Sequence, residues 1–160
     1  MRHFFFHMDV KNAFLNGDLS EEVYMQLSPS LSVESNKVCY FRHALYGLKQ
    51  APRAWFVKFS STISHLDYMV SHYDYASFLC RTDKCIILLL LYVDNMIITS
   101  DDLNGIQELK DFLSQQFEMK DLEHLNYFLG LNITHSTDGF YITQAKYAFE
   151  LLSQAKLTDS

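Results

Sequence analysis

The sequence predicts an α+β fold, an antiparallel sheet with helices packed on one face. Three observations point there. Short apolar runs bounded by turn residues recur along the chain and read as strands; the clearest is Cys85-Ile86-Ile87-Leu88-Leu89-Leu90-Leu91-Tyr92-Val93, nine uncharged residues of a kind expected in a strand buried on both faces. Trp55, Phe59, Ile63 and Leu66 repeat at spacings of four, four and three, one face of a helix. Neighbouring runs are joined by turns as short as Thr82-Asp83-Lys84, which makes them hairpins. At 160 residues a single domain with a substantial core is the expectation.

The elements follow in order. Residues 4–10 form a strand ending at Asp9, and Asn12 to Asp18 a short helix or turn closed by Asn16-Gly17-Asp18. Glu22 to Leu27 alternates as a second strand and Ser28-Pro29-Ser30 ends it; residues 30–37 are polar and loop-like. Val38 to Leu45 is a strand and Tyr46-Gly47 a turn. Pro52 opens the first helix, where its missing N–H costs nothing. Ala76 to Arg81 and Cys85 to Val93 pair, and Asp94-Asn95 turns the chain into Met96-Ile97-Ile98-Thr99. Asp101 or Asp102 caps a second helix with Leu103, Ile106, Leu109, Leu113 and Phe117 on one side. Asn126 to Thr134 and Phe140 to Thr143 make a hairpin around Asp138-Gly139, and Lys146 to Leu157 a third amphipathic helix through Ala148, Leu151, Leu152 and Ala155.

Composition excludes several classes. Apolar content of 49% and aromatic content of 15% mark a folding chain. A formal charge of −6 argues against a self-sufficient nucleic-acid binder, which normally has a basic face; it suits a domain that gathers cations at carboxylates while basic partner segments contact phosphate. Cys39, Cys80 and Cys85 make no disulfide framework and no zinc spacing, so reduced, intracellular thiols are expected. The longest apolar run is too short for a membrane span, which needs about 20 residues, and it is internal, unlike a signal peptide. Met1-Arg2-His3 runs straight into a strand, so the domain reads as truncated.

Two strands end in carboxylates. Phe4-Phe5-Phe6-His7-Met8 leads to Asp9, and the nine-residue run leads to Asp94. A carboxylate beside buried strands is costly unless paired or bound to metal. If the strands are neighbours, the pair suits Mg²⁺, which takes oxygen ligands and keeps waters for substrate phosphates, and the chemistry is metal-dependent phosphoryl transfer. A plain hairpin turn at Asp94-Asn95 is the other reading of the same residues.

Met8-Asp9-Val10-Lys11-Asn12-Ala13-Phe14-Leu15-Asn16-Gly17-Asp18-Leu19 resembles the first catalytic block of reverse transcriptases from copia-type LTR retrotransposons. Ala44-Leu45-Tyr46-Gly47-Leu48-Lys49-Gln50-Ala51-Pro52-Arg53-Ala54-Trp55 is similar to the next block, and Leu91-Tyr92-Val93-Asp94-Asn95-Met96 to the polymerase signature, normally Tyr-Val-Asp-Asp. Phe117-Glu118-Met119-Lys120-Asp121-Leu122 and Tyr127-Phe128-Leu129-Gly130-Leu131 resemble the segment that follows. Order and spacing agree over essentially the whole chain.

The resemblance implies a right-hand polymerase palm over residues 1–143, with the fingers largely missing and the thumb only begun over 144–160. It implies that Asp9, Val10 and Asp94 hold two Mg²⁺ (or Mn²⁺) ions whose role is electrostatic. Lys11, Asn12, Ala13 and Phe14 would meet the incoming dNTP, the first of them through backbone N–H groups. Phe14 would bar a 2′-hydroxyl, or is simply a core aromatic on a short helix. Tyr46, Gly47 and Lys49 would lie near the templating base and nucleotide, Lys49 being otherwise a solvated lysine on a turn. Tyr92 and Val93 would lie at the primer end, and Leu129, Gly130 and Leu131 would grip the primer. The implied partners are an RNA template, a DNA primer, and the fingers, thumb and RNase H segments of a parent polyprotein, with no membrane; the implied location is cytoplasmic, in virus-like particles if the element is intact.

Asn95 departs from the family where the second signature Asp belongs. Asparagine keeps one carbonyl acceptor but loses the charge and the second oxygen, so Mg²⁺ affinity and geometry suffer. The expectations are therefore a reverse transcriptase segment of impaired activity, a non-catalytic remnant or recruited nucleic-acid- or protein-binding domain, or a plain globular domain.

Overall fold

The computed structural model describes residues 4–26, 37–82, 85–136 and 139–157. Met1-Arg2-His3, the Ser28-Pro29-Ser30 turn, the loop over 30–37 except its last residue, Asp83-Lys84 and Asp138 lie outside the described residues.

β1 (Phe4–Val10) runs into a 3-10 turn (Ala13–Asn16) and β2 (Asp18–Gln26), which pairs antiparallel with β3 (Val38–His43) as a separate two-stranded ladder. α1 (Ala51–Ile63) follows, with Pro52 in its first turn, and a 3-10 turn (Ser64–Leu66) leads to β4 (Met69–Val70) and β5 (Ser77–Arg81). β6 (Ile86–Tyr92) and β7 (Asn95–Ser100) form a tight hairpin, and α2 (Leu103–Gln116) leads to β8 (Met119–His124). β9 (Tyr127–Phe128), β10 (Leu131–Ser136) and β11 (Gly139–Thr143) make a three-stranded sheet before α3 (Ala145–Gln154). The main sheet has six strands in the order β4-β5-β6-β7-β1-β8, every pair antiparallel.

One face of this sheet carries Met8 and Val10 from β1, Ile87, Leu89 and Leu91 from β6, and Met96 and Ile98 from β7. Against it pack Trp55, Phe59 and Ile63 of α1 and Ile106, Leu109 and Leu113 of α2. Both helices thus cover the same face, as the sequence predicts. Phe59 sits edge-on to Phe78 with ring centres 5.3 Å apart. α1 comes unusually close to the β1–β2 connection because residue 17 is glycine; a Cβ there would stand 2.7 Å from the Trp55 backbone nitrogen, a distance side chains do not tolerate.

Several expectations are corrected. β6 is not buried on both faces: burial alternates along it, with Ile86 and Tyr92 exposed and Leu88 and Leu90 half-buried, because both helices lie on the other side. β2 begins at Asp18, four residues before Glu22, since Asp18 pairs with His43 just after the 3-10 turn and the register shifts before Val23. β3 stops at His43 rather than Leu45. The run over 126–134 is broken by a turn at Leu129-Gly130, both with positive φ (48° and 85°). Asp102, not Asp101, caps α2, its carboxylate accepting the Asn104 N–H at 3.0 Å, and Leu103 points outward. None of the residues of α3 is buried.

Candidate functional site

Register, rather than sequence proximity, assembles the site. Asp9 on β1 is the cross-strand partner of Asn95 on β7 and of Lys120 on β8, and Asn95 is in turn opposite Tyr92 on β6. Partners opposite one another share a face of the sheet, so Lys120, Asp9, Asn95 and Tyr92 form a row across four strands. It lies on the face away from α1 and α2, because Met8 and Met96, one residue along on β1 and β7, point into the helix-side core.

The hairpin loop is Val93-Asp94 rather than Asp94-Asn95: Tyr92 and Asn95 are paired, which leaves two residues between the strands. Val93 has φ of 56° and Asp94 is not among the residues with positive φ. That is the type II′ pattern, whose first central position normally takes glycine. A β-branched residue there is strained by about 1–2 kcal/mol. Two hydrogen bonds hold the loop: the Val10 N–H donates to the Asp94 carbonyl at 2.7 Å, and the Trp55 indole Nε1–H donates to the Val93 carbonyl at 2.6 Å.

Asn95 is bonded on both sides. Its Nδ2 donates to Asp94 Oδ1 at 2.8 Å, so its Oδ1 faces His7 Nε2, also at 2.8 Å. With the amide oriented by the carboxylate, the His7 nitrogen must be the donor. His7 is itself buried and meets the edge of Phe128, ring centres 5.9 Å apart.

The other sequence-derived residues divide into those near this turn and those apart from it. Ala13 is fully buried, and the rings of Phe14 and Tyr46 meet at 4.7 Å. Phe14 also lines a cavity of about 200 Å³ with Trp55, Tyr75, Leu91 and Val93, which joins it to the turn. The Lys11 N–H donates to the Glu118 carbonyl at 2.9 Å and its side chain is ion-paired with Glu118, so that N–H is committed within the fold. Asn12 takes a left-handed φ of 52° at the start of the 3-10 turn. Gly47, with φ of 92°, and Lys49 are on the exposed connection before α1. The Leu129-Gly130 turn reaches the site through Phe128, whose ring is 6.4 Å from that of Tyr92; Leu131 follows on β10, opposite Phe128.

Four residues of the site escaped the sequence reading: His7, Trp55 as a hydrogen-bond donor, Lys120 and Phe128. His7 could have been found from its position two residues before Asp9, which puts both on one face of the strand. The other three follow only from the fold.

The oxygen donors suit a divalent cation incompletely. Asp9 lies across from Asn95, and the Val10 N–H holds the Asp94 carbonyl, so both acids stand at the same end of the central strands, and hard cations take carboxylate ligands. Asn95 adds no charge, and its N–H occupies an Asp94 oxygen. Among the described residues no three His, Cys, Asp or Glu side chains converge as a metal-holding group.

A family model described as reverse transcriptase (RNA-dependent DNA polymerase) matches residues 2–160. The chain is 39% identical over 152 residues to the retrovirus-related Pol polyprotein from transposon RE1 of Arabidopsis thaliana, covering 94% of this chain and 10% of that one. It is 38% identical over 158 residues to the retrovirus-related Pol polyprotein from transposon TNT 1-94 of Nicotiana tabacum, covering 96% and 12%. A putative transposon Ty5-1 protein of Saccharomyces cerevisiae is 31% identical over 134 residues, covering 82% and 44%. The chain spans about a tenth of the length of the two plant polyproteins. With the family model matching nearly end to end and the plant polyproteins 38–39% identical over almost the whole chain, the chain belongs to the reverse transcriptase (RNA-dependent DNA polymerase) family, as a segment of the kind carried by retrotransposon Pol polyproteins.

Proposed function

We propose that the chain is the catalytic palm segment of a copia-type RNA-directed DNA polymerase, over residues 1–143 with the thumb beginning at 144, and that Asn95 leaves this copy inactive or strongly impaired. The observation that carries both halves is the corner itself: Asp9 stands across from Asn95, and the Asn95 amide is bonded to Asp94. Mg²⁺ or Mn²⁺, when bound, would supply the positive charge that activates a primer 3′-hydroxyl and steadies the triphosphate. Asp9, Asp94 and the Val10 carbonyl would hold two such ions, with Asn95 standing where a further carboxylate would help them.

The chain's own residues would do the rest. Phe14, braced on the Tyr46 ring, would stand where a 2′-hydroxyl must fit and so favour deoxynucleotides. Asn12, Ala13, Gly47 and Lys49 would border the nucleotide. Tyr92 and Val93 would face the primer end, and the Leu129-Gly130-Leu131 turn, linked to Tyr92 by Phe128, would grip the primer. RNA template and DNA primer would rest on basic surfaces supplied by other segments of a polyprotein, in keeping with the formal charge of −6 here. The exposure of α3 supports reading it as the first element of a thumb. No helix among the described residues is long and apolar enough to cross a membrane, and the proposed setting is a cytoplasmic virus-like particle.

The test is primer extension on an RNA template with Mg²⁺ or Mn²⁺. The given chain, Asn95→Asp, and Asn95→Asp joined to an upstream fingers segment of a relative should extend primers in increasing order, the first at or near background. Robust extension by the given chain that survives Asp94→Asn would refute the site. A second reading, a non-catalytic remnant or recruited binding domain, is favoured by the closed His7–Asn95–Asp94 network, which satisfies the turn without any cation; it predicts that even the joined Asn95→Asp chain is silent.

A further inference from the structure

Trp55 is the only tryptophan in the chain, and its stripe on α1 reads as ordinary core. It is 2% exposed, packed on Phe59 and edge-on to Phe117 at 5.1 Å. Yet its one polar atom crosses to the signature turn and donates to the Val93 carbonyl. Val93 is the residue there whose backbone is out of place, a β-branched side chain at a φ of 56°. Such a conformation persists only where its surroundings over-determine it. The two constraints fall on successive carbonyls: Val10 holds that of Asp94 from β1, and Trp55 holds that of Val93 from α1. The net contribution of a hydrogen bond is comparable to the cost of holding a residue in such a conformation, so losing either can release the turn. The reach of the indole also depends on the close seat of α1 against Gly17.

We propose that Trp55 is a positioning residue for the catalytic turn: through the Val93 carbonyl it fixes the strained Val93-Asp94 loop and with it the place of the Asp94 carboxylate. This deepens the polymerase reading and rests on it for the word catalytic. Packing alone would not need the indole nitrogen, since a ring of the same shape without an N–H would fill the same space.

The experiment is amide hydrogen exchange by NMR on the full chain, on Trp55→Phe, and on the chain with Trp55 replaced by 3-benzothienylalanine, which keeps the ring and lacks the donor. The Val10 N–H, whose acceptor is Asp94, is the reporter, and amides in the interior of α2 are the reference. Val10 exchange is expected to rise about five- to tenfold relative to α2 in the isosteric variant, the equilibrium worth of one hydrogen bond. Unchanged Val10 exchange in that variant, or a uniform rise across the chain, overturns the proposal; should Trp55→Phe fail to fold, the isostere alone decides. In the Asn95→Asp chain joined to a fingers segment, the isostere is expected to lower kcat about tenfold with the nucleotide KM within about twofold; a rise in KM alone overturns the catalytic role. If that chain extends no primer at all, the polymerase reading fails, while the exchange result still decides whether Trp55 holds the turn.

Discussion

Replacing Asn95 with aspartate restores the family's residue and should make the free protein less stable. The Asn95 amide now donates to Asp94 and accepts from His7, each at 2.8 Å. Aspartate abolishes the first bond, and a hydrogen bond to a charged group is worth about 1.5–3 kcal/mol. It also sets a second carboxylate beside Asp94; two charges about 4 Å apart cost about 1 kcal/mol in water and about 4 kcal/mol at an effective dielectric of 20. Both residues are half-exposed, so the lower part of that range applies. The His7 N–H bond survives and gains about 1 kcal/mol from the ionised acceptor. The balance is a loss of about 2–3 kcal/mol, or about 5–10 °C in Tm for a chain of this length. A divalent ion should offset it, by about 1.4 kcal/mol at ten times its Kd and about 2.7 kcal/mol at a hundred times. The assay is thermal unfolding of both chains in chelator and in Mg²⁺ or Mn²⁺. Asn95→Asp should melt lower in chelator and climb with metal, while the Asn95 chain should move less. Equal melting in chelator, or no metal response from Asn95→Asp, refutes the reasoning.

Gly17→Ala should cost about 1–3 kcal/mol, an overpacking penalty, since its Cβ would meet the Trp55 nitrogen at 2.7 Å and the Ala54 carbonyl carbon at 2.8 Å; chemical denaturation reads it, and an unchanged midpoint would show that α1 can move aside. Burial of Tyr68, helped by nearby Cys80 and Cys85, raises its pKa well above the ordinary value. Its folded form therefore keeps the proton longer than its unfolded form. The associated stability is whole below about pH 10 and is lost as pH rises past the unfolded pKa. Tyr68→Phe should flatten that alkaline decline, as followed by denaturation at stepped pH, and an identical decline in both proteins would exclude Tyr68 as its source.

The parts of the fold legible in the sequence were those where local chemistry and packing agree. Pro52 and the stripe Trp55, Phe59, Ile63 mark α1 because a proline start and a buried face coincide. β8 carries no strand signal because Lys120, Asp121 and Glu123 break up the apolar positions of its six residues; it is a strand only by pairing with β1, a long-range fact. β4 is two residues long and leaves no period to detect. In β6 the unbroken apolar run concealed an ordinary alternation of burial. Of the proposed site, the acids are what the sequence displays, since Asp9 and Asp94 each follow an apolar run. The register that sets Asp9 across from Asn95 is not displayed, nor is the positive φ of Val93, since nothing about valine announces a position that suits glycine.

The edges of the main sheet carry a separate consequence. β4 offers only two residues, and β8, the opposite margin, bears Lys120, Asp121 and Glu123, with Asp121 ion-paired to Lys110. Short margins and charged margins are the devices by which sheets resist joining edge to edge. The main sheet should therefore not seed fibres at high concentration. The liability lies in the β2–β3 ladder, where Tyr24, Met25, Val38 and Tyr40 stand exposed on two strands that pair with nothing beyond each other among the described residues. Charged replacements there, rather than in the main sheet, are the route to keeping this segment monodisperse.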